Sequence, residues 1–91
     1  MTFMLARITV DDYESWKPMF DEGRETVRAR AKGHRILRGV EEPNDLFIQV
    51  EFDSAQDAQA ARDELLASGA LDRVTVQAGP AITEMAEQVD Y

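Results

Sequence analysis

Residues 46–53, LFIQVEFD, decide the fold of this chain because apolar and polar side chains alternate along them. Leu46, Ile48, Val50 and Phe52 share one face of this pattern, and Phe47, Gln49, Glu51 and Asp53 share the other. A period of two residues is that of a β-strand with one covered face. Pro43-Asn44 are strong turn formers just upstream, and they follow a strand predicted over His34–Glu41. The stretch is therefore predicted to be the second strand of a β-hairpin.

A strand and a helix are predicted upstream of this hairpin. Thr2–Val10 alternates, but both of its faces are largely apolar, which is typical of a central strand covered on two sides. Asp11 or Asp12 can cap a helix over Asp12–Lys32, whose apolar residues recur at three- and four-residue spacing. Gly33 is expected to end that helix, because glycine is the usual residue just after a helix C-terminus.

A second helix is predicted downstream of the hairpin. It extends over Ser54–Ser68, with the Ser54 side chain as its N-terminal cap and Gly69 as its end. The following residues, Ala70–Gln77, are compatible with either a short helical turn or an extended connection. The small alanine side chains of the helix suit close packing on a sheet.

The last alternating segment, Ala81–Val89, follows Gly79-Pro80, which is expected to break the chain. The order is then strand, helix, strand, strand, helix, strand. Two right-handed β-α-β units interleaved through a hairpin predict an α+β, ferredoxin-like βαββαβ fold. The predicted sheet has four antiparallel strands in the order 4-1-3-2, with both helices on one face. At this length, residues 1–91 are expected to form a single domain.

The face of the sheet without helices predicts how the protein associates. Its expected side chains are Phe3, Leu5, Phe47 and Met85, with Arg7, Thr9, Gln49 and Glu51 among them. An exposed apolar patch of this kind indicates a partner surface. Pairing of two such sheets would bury it, so a homodimer through the open sheet face is expected. Arg7 is predicted to pair with Glu51 and fix the dimer register; the alternative is that Arg7 clamps an oxyanion or phenolate.

Composition and charge exclude several classes of function. The chain has 10 Lys and Arg against 18 Asp and Glu, a formal net charge of −8, and no cysteine. A net-negative domain repels phosphate backbones, so nucleic acid is not an expected partner. Without cysteine there is no thiol catalysis and no thiolate metal site. The sequence shows no signal-peptide pattern and no apolar run of membrane-spanning length, so a cytoplasmic protein without a membrane partner is expected.

A local basic stretch opposes the acidic balance. It comprises Arg24, Arg28, Arg30, Lys32, Arg35 and Arg38. Most of these cations fall where the predicted helix ends, and a cation near a helix C-terminus is stabilised by the helix dipole. We favour that structural interpretation; an anion-binding site is the alternative.

The chain also resembles a known family. Residues 6–21, ARITVDDYESWKPMFD, are similar to the opening of the dimeric α+β barrel proteins related to antibiotic-biosynthesis monooxygenases. Pro43-Asn44, residues 50–54 (VEFDS) and residues 78–80 (AGP) are similar in kind and order to later parts of that family. The resemblance implies a ferredoxin-like protomer that dimerises through its sheet, with any pocket lying between sheet and helices. The superfamily includes cofactor-free oxygenases, haem-degrading enzymes, cyclases, lactone isomerases and members without known activity.

The chain departs from the haem-degrading members of that superfamily. Those members use a histidine in the second-helix region and an asparagine on the first strand, whereas Ser54–Ser68 contains no His and Thr2–Val10 no Asn. Haem is therefore not expected, and no other cofactor is predicted. A metal is not predicted either, because the single histidine has no ligand partner at helical spacing.

Five side chains are candidates for a site. His34 is the only histidine and so the first candidate for proton transfer near neutral pH, with Tyr13 as a second catalytic candidate. Trp16 could stack on a flat substrate, although its spacing is also typical of a core residue. Arg7 and Arg38 are candidate ligand-binding residues; the face that Arg38 occupies depends on a hairpin register that is open by one residue.

Two functions remain open from the sequence. The first is a cofactor-independent enzyme, of the monooxygenase, isomerase or cyclase kind, acting on a small or aromatic substrate in an apolar pocket. The second is a non-catalytic homodimer that binds a small ligand or acts as an accessory protein. A closed core around Trp16 would favour the second. A cavity of several hundred Å³ between sheet and helices, with polar side chains pointing in, would favour the first.

Overall fold

The fold follows the alternation of strands and helices along the chain, in a computed structural model that describes residues 1–91. The strands are β1 (Thr2–Thr9), β2 (Gly33–Arg38), β3 (Asp45–Phe52) and β4 (Thr75–Glu84). The helices are α1 (Tyr13–Glu22) and α2 (Ala55–Ser68), followed by 3-10 turns at Gly23–Glu25 and Ala70–Arg73. All strand pairs are antiparallel, and the sheet order is β2-β3-β1-β4. This confirms the ferredoxin-like fold and the predicted order 4-1-3-2.

The core lies on the side of β3 and β1 that faces the helices. Met4, Val50 and Phe52 pack with Ala58 and Ala61 of α2 in one cluster. Ile8, Val10 and Leu46 form a second cluster, against which Trp16 and Tyr13 pack. Phe52 is 1% exposed and Leu46 is fully buried, which confirms the prediction that one face of residues 46–53 is covered.

Helix α2 begins and ends where its sequence predicts. The hydroxyl of Ser54 accepts a hydrogen bond from the backbone N–H of Asp57 at 3.1 Å, which satisfies one of the free donors of the first turn. Gly69 ends the helix with a φ of 77°, a left-handed conformation that favours glycine. The carboxylate of Asp57 also forms an ion pair with Arg30, which connects the helix to the segment before β2.

The predicted helix over Asp12–Lys32 is too long. Helix α1 ends at Glu22, where the N–H of Gly23 donates to the carbonyls of Phe20 and Asp21, and the chain continues through a 3-10 turn. Gly33 is not a helix end; it is the first residue of β2. The apolar spacing does continue to Val27, but glycine and β-branched residues weaken the helix there. In addition, the Arg28 side chain donates to the carbonyl of Phe20 and satisfies the helix end.

Strand β4 differs from its prediction at both ends and at its centre. It extends over Thr75–Glu84 instead of Ala81–Val89, and Gly79-Pro80, joined by a cis peptide bond, lies within it. Leu5 and Arg7 of β1 pair with Ala81 and Ala78, so two residues of β4 stand opposite the single residue between Leu5 and Arg7. This is a β-bulge on an edge strand, the position in a sheet where a proline is tolerated. The expected break is therefore a bend within the strand.

The face without helices carries both apolar and polar side chains, with one unexpected feature. Leu5, Leu37 and Phe47 are exposed there, as is Met85 just after β4. Phe3, expected to be bare, is only 9% exposed. It lines a groove together with Met1, Met85 and Gln88, so residues from both termini of the same chain shield it. No helix of the chain has the length and apolar character needed to cross a lipid bilayer.

Candidate functional site

A cavity of about 260 Å³ lies between the sheet and the helices. Most of its lining is apolar: Met4, Ala6, Ile8, Ile48 and Val50 from the sheet, Trp16, Met19, Phe20 and Leu65 from the helices, and Val27, Leu71, Val74 and Pro80 from connecting segments and β4. Its charged lining residues are Glu22, Arg28 and Arg73. The bulge in β4 therefore contributes to the site, because it brings Pro80 into the cavity wall.

Trp16 belongs to both the core and the cavity wall. Its ring centroid lies 5.9 Å from that of Tyr13 and 5.0 Å from that of Phe20, each pair tilted. Phe20 in turn meets the edge of His34 at 5.0 Å. These four rings form a continuous row, three of them on α1 and His34 on β2, and Trp16 and Phe20 are the two members that line the cavity. The arrangement can stack a flat ligand against a rigid aromatic wall.

Tyr13 and Arg38 lie together at one end of this row, outside the cavity lining. The guanidinium of Arg38 lies 4.2 Å from the centroid of the Tyr13 ring, and its Nε donates to the carbonyl of Pro43 at 2.9 Å. Arg38 pairs with Leu46 in the hairpin, so it lies on the helix face of the sheet. The strand register thus determines the face of the sheet that Arg38 occupies, which the sequence had left open by one residue. Both residues hold the hairpin turn against α1.

Within one chain, Arg7 does not pair with Glu51, the partner predicted from the sequence. Arg7 makes a two-pronged ion pair with Asp45, with Nε–Oδ1 at 3.0 Å and Nη2–Oδ2 at 2.7 Å. The strand register explains this, because Arg7 lies opposite Phe47, whereas Glu51 lies opposite Phe3. The bonded guanidinium holds the pKa of the Asp45 carboxyl below its usual range. Arg7 lies on the open face and lines neither the cavity nor the groove.

His34 is an exposed residue at the start of β2, on the helix face. Arg28 Nη1 lies 3.4 Å from His34 Nδ1. Because a guanidinium only donates, Nδ1 must accept, which favours the neutral ring with its proton on Nε2. Partial desolvation of the ring is the main cause that lowers the pKa of His34; the positive charges of Arg28, Lys17 and Arg24 also lower it, while Asp21 opposes them. His34 does not line the cavity, so it and Trp16 are linked only through Phe20.

We expect this histidine to make the protein less stable in mild acid. The folded pKa of His34 lies below the ordinary 6.5, so the unfolded chain binds the proton more readily. The contribution of neutral His34 to the free energy of unfolding is present above pH 6.5 and is lost as the pH falls from 6.5 through the folded pKa. Between pH 7.5 and pH 5, the melting temperature of the wild-type protein should fall more than that of His34→Phe, which keeps the ring contact with Phe20. Parallel pH profiles of the two proteins would contradict this. Asp21 and Asp45 titrate below their ordinary 3.8, outside this window.

Arg28 is the site residue that sequence analysis did not single out. It was placed among six basic residues, most of them assigned to the end of a helix over Asp12–Lys32; the helix ends at Glu22, and Arg28 reaches back from outside it to the Phe20 carbonyl. However, Arg28 is only 7% exposed and lines the cavity, with its guanidinium 3.7 Å from the centroid of the Phe20 ring. The sequence signal was present in the basic stretch, but nothing in it distinguished Arg28 from its exposed neighbours.

A second, more polar groove of about 490 Å³ lies on the open sheet face. Phe3, Arg35, Gln49 and Glu51 form its floor and sides, and residues near both chain ends complete it. His34 lies at its edge. No group of three or more His, Asp or Glu side chains in the chain is arranged to hold a metal ion.

Comparison with known proteins identifies the class of fold. No protein-family model matches the chain, and no match is found among curated proteins. Among solved structures, the fold is similar to that of a protein from Deinococcus radiodurans described as a "putative antibiotic biosynthesis monooxygenase". The similarity covers 100% of this chain and 98% of that chain, with a TM-score of 0.59 and 10% sequence identity. At this identity the likeness establishes the fold alone: the chain is a small ferredoxin-like α+β protein.

Proposed function

We propose that the protein is a cofactor-independent monooxygenase-like enzyme that binds a small or aromatic substrate in the cavity between sheet and helices, and that it works as a homodimer. The observation that carries the proposal is the cavity itself, about 260 Å³ and lined by Trp16, Phe20 and aliphatic side chains. Ligand sites are typically apolar clefts of this kind with a few polar groups. The fold is shared with a protein described as a "putative antibiotic biosynthesis monooxygenase", and this likeness is the reason for naming the reaction class.

The cavity lining is suited to a reaction in which the substrate supplies the reactive groups and the protein orients it. Trp16 and Phe20 can hold a flat ring system in one orientation, which lowers the entropic part of the barrier. Aliphatic side chains offer no hydrogen bonds, so the energy of any charge that develops on the substrate depends on the nearest fixed dipoles and cations. Arg28 is the buried cation nearest to this aromatic wall, with its guanidinium over the Phe20 ring. Its role would be electrostatic, with no proton transfer of its own.

One observation favours the alternative, a ligand-binding homodimer without catalysis. The two residues predicted to be catalytic, His34 and Tyr13, both lie outside the lining of the cavity. A cavity whose lining includes neither of these residues can still bind and sequester a ligand. The two functions differ in one measurable respect: only the enzyme consumes oxygen in the presence of the ligand.

A thermal-shift screen with naphthols and anthrones tests the proposal. A ligand at ten times its dissociation constant should raise the melting temperature by roughly 5–10 °C. The variant Ala6→Leu, which adds side-chain volume inside the cavity, should lose most of this shift because Ala6 is part of the lining. Ala60→Leu is the matched control, since Ala60 is exposed on α2.

Oxygen uptake with the tightest ligand then separates the two functions. Uptake that depends on the protein and is lost in Ala6→Leu supports the enzyme. A clear thermal shift without oxygen uptake favours the binding module. Equal shifts in the wild-type protein and in Ala6→Leu would mean that the ligand binds elsewhere, and the proposal would be wrong.

A further inference from the structure

The charged residues that line the cavity, Glu22, Arg28 and Arg73, have a net positive charge, whereas the chain as a whole is net negative. The protein has 18 Asp and Glu residues against 10 Lys and Arg residues, so carboxylates outnumber the cations that could pair with them. Ion pairs in the fold use Arg7, Lys17, Arg30 and Lys32. Arg28 and Arg73, the two arginines of the cavity lining, form no ion pair with any carboxylate. Four of the 10 cations form ion pairs, and 2 of the remaining 6 lie at this one apolar cavity.

Arg28 is the more informative of the two because it is more than nine-tenths buried. Buried charges are normally paired, since removing a charge from water is costly. The polar contacts of Arg28 are the carbonyl of Phe20 and the neutral ring nitrogen of His34. Asp21, the acid whose charge most favours the guanidinium, is already bonded to Lys17. Burial is the largest effect on Arg28 and lowers the pKa of its guanidinium.

Helix capping accounts for only part of this arrangement. A guanidinium has five N–H donors, and Arg28 uses one for the helix-end carbonyl and one for His34. The other three donors have no partner within the protein, and the side chain that carries them lies over the Phe20 ring and lines the cavity. Arg73 reaches over from the 3-10 turn after α2, with Nη1 3.9 Å from the sulfur of Met19 on α1. It is exposed, so it lies at the side of the cavity that meets solvent.

We infer that the cavity takes a flat, apolar molecule that carries a single oxyanion, a carboxylate or a phenolate, and that Arg28 and Arg73 bind this group. The inference rests on the proposed function and narrows its substrate class. The apolar body lies against Trp16 and Phe20, and the oxyanion accepts charge-assisted hydrogen bonds from the guanidinium groups. Glu22, the one acid of the lining, is exposed and leaves the cavity with a positive balance.

The test compares two probes of nearly the same shape and different charge, 2-naphthoate and 2-naphthamide, by isothermal titration calorimetry. We expect the wild-type protein to bind the anion about tenfold or more tightly than the amide, the range of one charge-assisted hydrogen bond. Arg73→Gln and Arg28→Gln should each reduce this preference severalfold while leaving the affinity for the amide nearly unchanged. Arg35→Gln, which removes the same charge from the open sheet face, should keep the full preference.

Each outcome is decisive. Equal affinity for the two probes overturns the inference and leaves the cavity as a binding site. A preference that survives Arg73→Gln and Arg28→Gln, or that Arg35→Gln abolishes, also overturns it, because the anion would then bind outside the cavity. If Arg28→Gln does not fold, Arg73→Gln still tests the inference, since Arg73 is exposed. If neither probe binds the wild-type protein, the inference is overturned, whereas the proposed function is decided by the thermal-shift screen and by oxygen uptake.

Discussion

Gly79→Ala should destabilise the protein by about 3 kcal/mol or more, a severe loss for a domain of this size. Gly79 has a φ of 79°, where a residue with a Cβ is strained. A Cβ at this position would also overlap the carbonyl oxygen of Leu5, and it would lie 3.0 Å from Ala81 N and 3.2 Å from Ala6 Cα. All three are backbone atoms of paired strands, so no side-chain rotation can relieve the contact.

Gly33→Ala is the matched control for this prediction. A Cβ at Gly33 meets no atom within 4 Å, and the residue does not have a positive φ. The exchange should change the free energy of unfolding by less than about 1 kcal/mol, with alanine favoured by its smaller loss of backbone entropy. Chemical denaturation of the three proteins gives the comparison. A Gly79→Ala protein as stable as Gly33→Ala would show that the bulge in β4 is not built as described.

The same substitution tests the link between the fold and the cavity. Gly79 and Pro80 form the bulge between the Leu5 and Arg7 pairs, and Pro80 lines the cavity next to Ala6. If Gly79→Ala folds at all, it must shift this part of β4, and the shape of the cavity wall changes with it. We therefore expect any ligand that is lost in Ala6→Leu to bind more weakly to Gly79→Ala as well.

The fold was predictable from sequence wherever a local pattern determined structure. Residues 46–53 alternate because one face of β3 is buried, and Ser54 and Gly69 bound α2 through their own backbone geometry. The errors fall where tertiary contacts decide. Apolar spacing carries the predicted helix past Glu22, but the Arg28 side chain ends it from six residues further along. Gly79-Pro80 is typical of a break, yet pairing with β1 absorbs it as a bulge.

The candidate site was predictable only in part. Trp16 was recognised as an aromatic residue of the helix stripe, and it lines the cavity. Arg38 and Tyr13 were named separately, and the structure stacks them on each other away from the cavity. Arg7 pairs with Asp45 because the register of β1 and β3 brings the two side chains together. A local sequence pattern does not determine the register between two strands. Arg28 became conspicuous only through its burial, which depends on how the segment after α1 folds back.

Leu5→Glu should convert the protein from a dimer to a monomer, if two sheets pair as proposed. Leu5 lies at the middle of β1, on the open face, and is 37% exposed in the single chain. Phe47 and Leu37 are exposed on the same face, and Ala81 lies opposite Leu5. A glutamate here would place an unpaired carboxylate from each protomer within the interface. Burying such charges should raise the dissociation constant about 100-fold or more.

The matched control is Leu66→Glu, which introduces the same charge at a leucine that is 56% exposed on α2, away from the open face. Light scattering during size-exclusion chromatography at micromolar concentration should give twice the chain mass for the wild type and Leu66→Glu, and the single chain mass for Leu5→Glu.

Each protomer carries a net charge of −8, so like charges oppose association over a distance that salt shortens. Raising the salt concentration should therefore strengthen the wild-type dimer, since its attraction is apolar. A wild-type monomer under these conditions would remove the homodimer from the proposed function, and an intact Leu5→Glu dimer would mean that the protomers meet through a different surface.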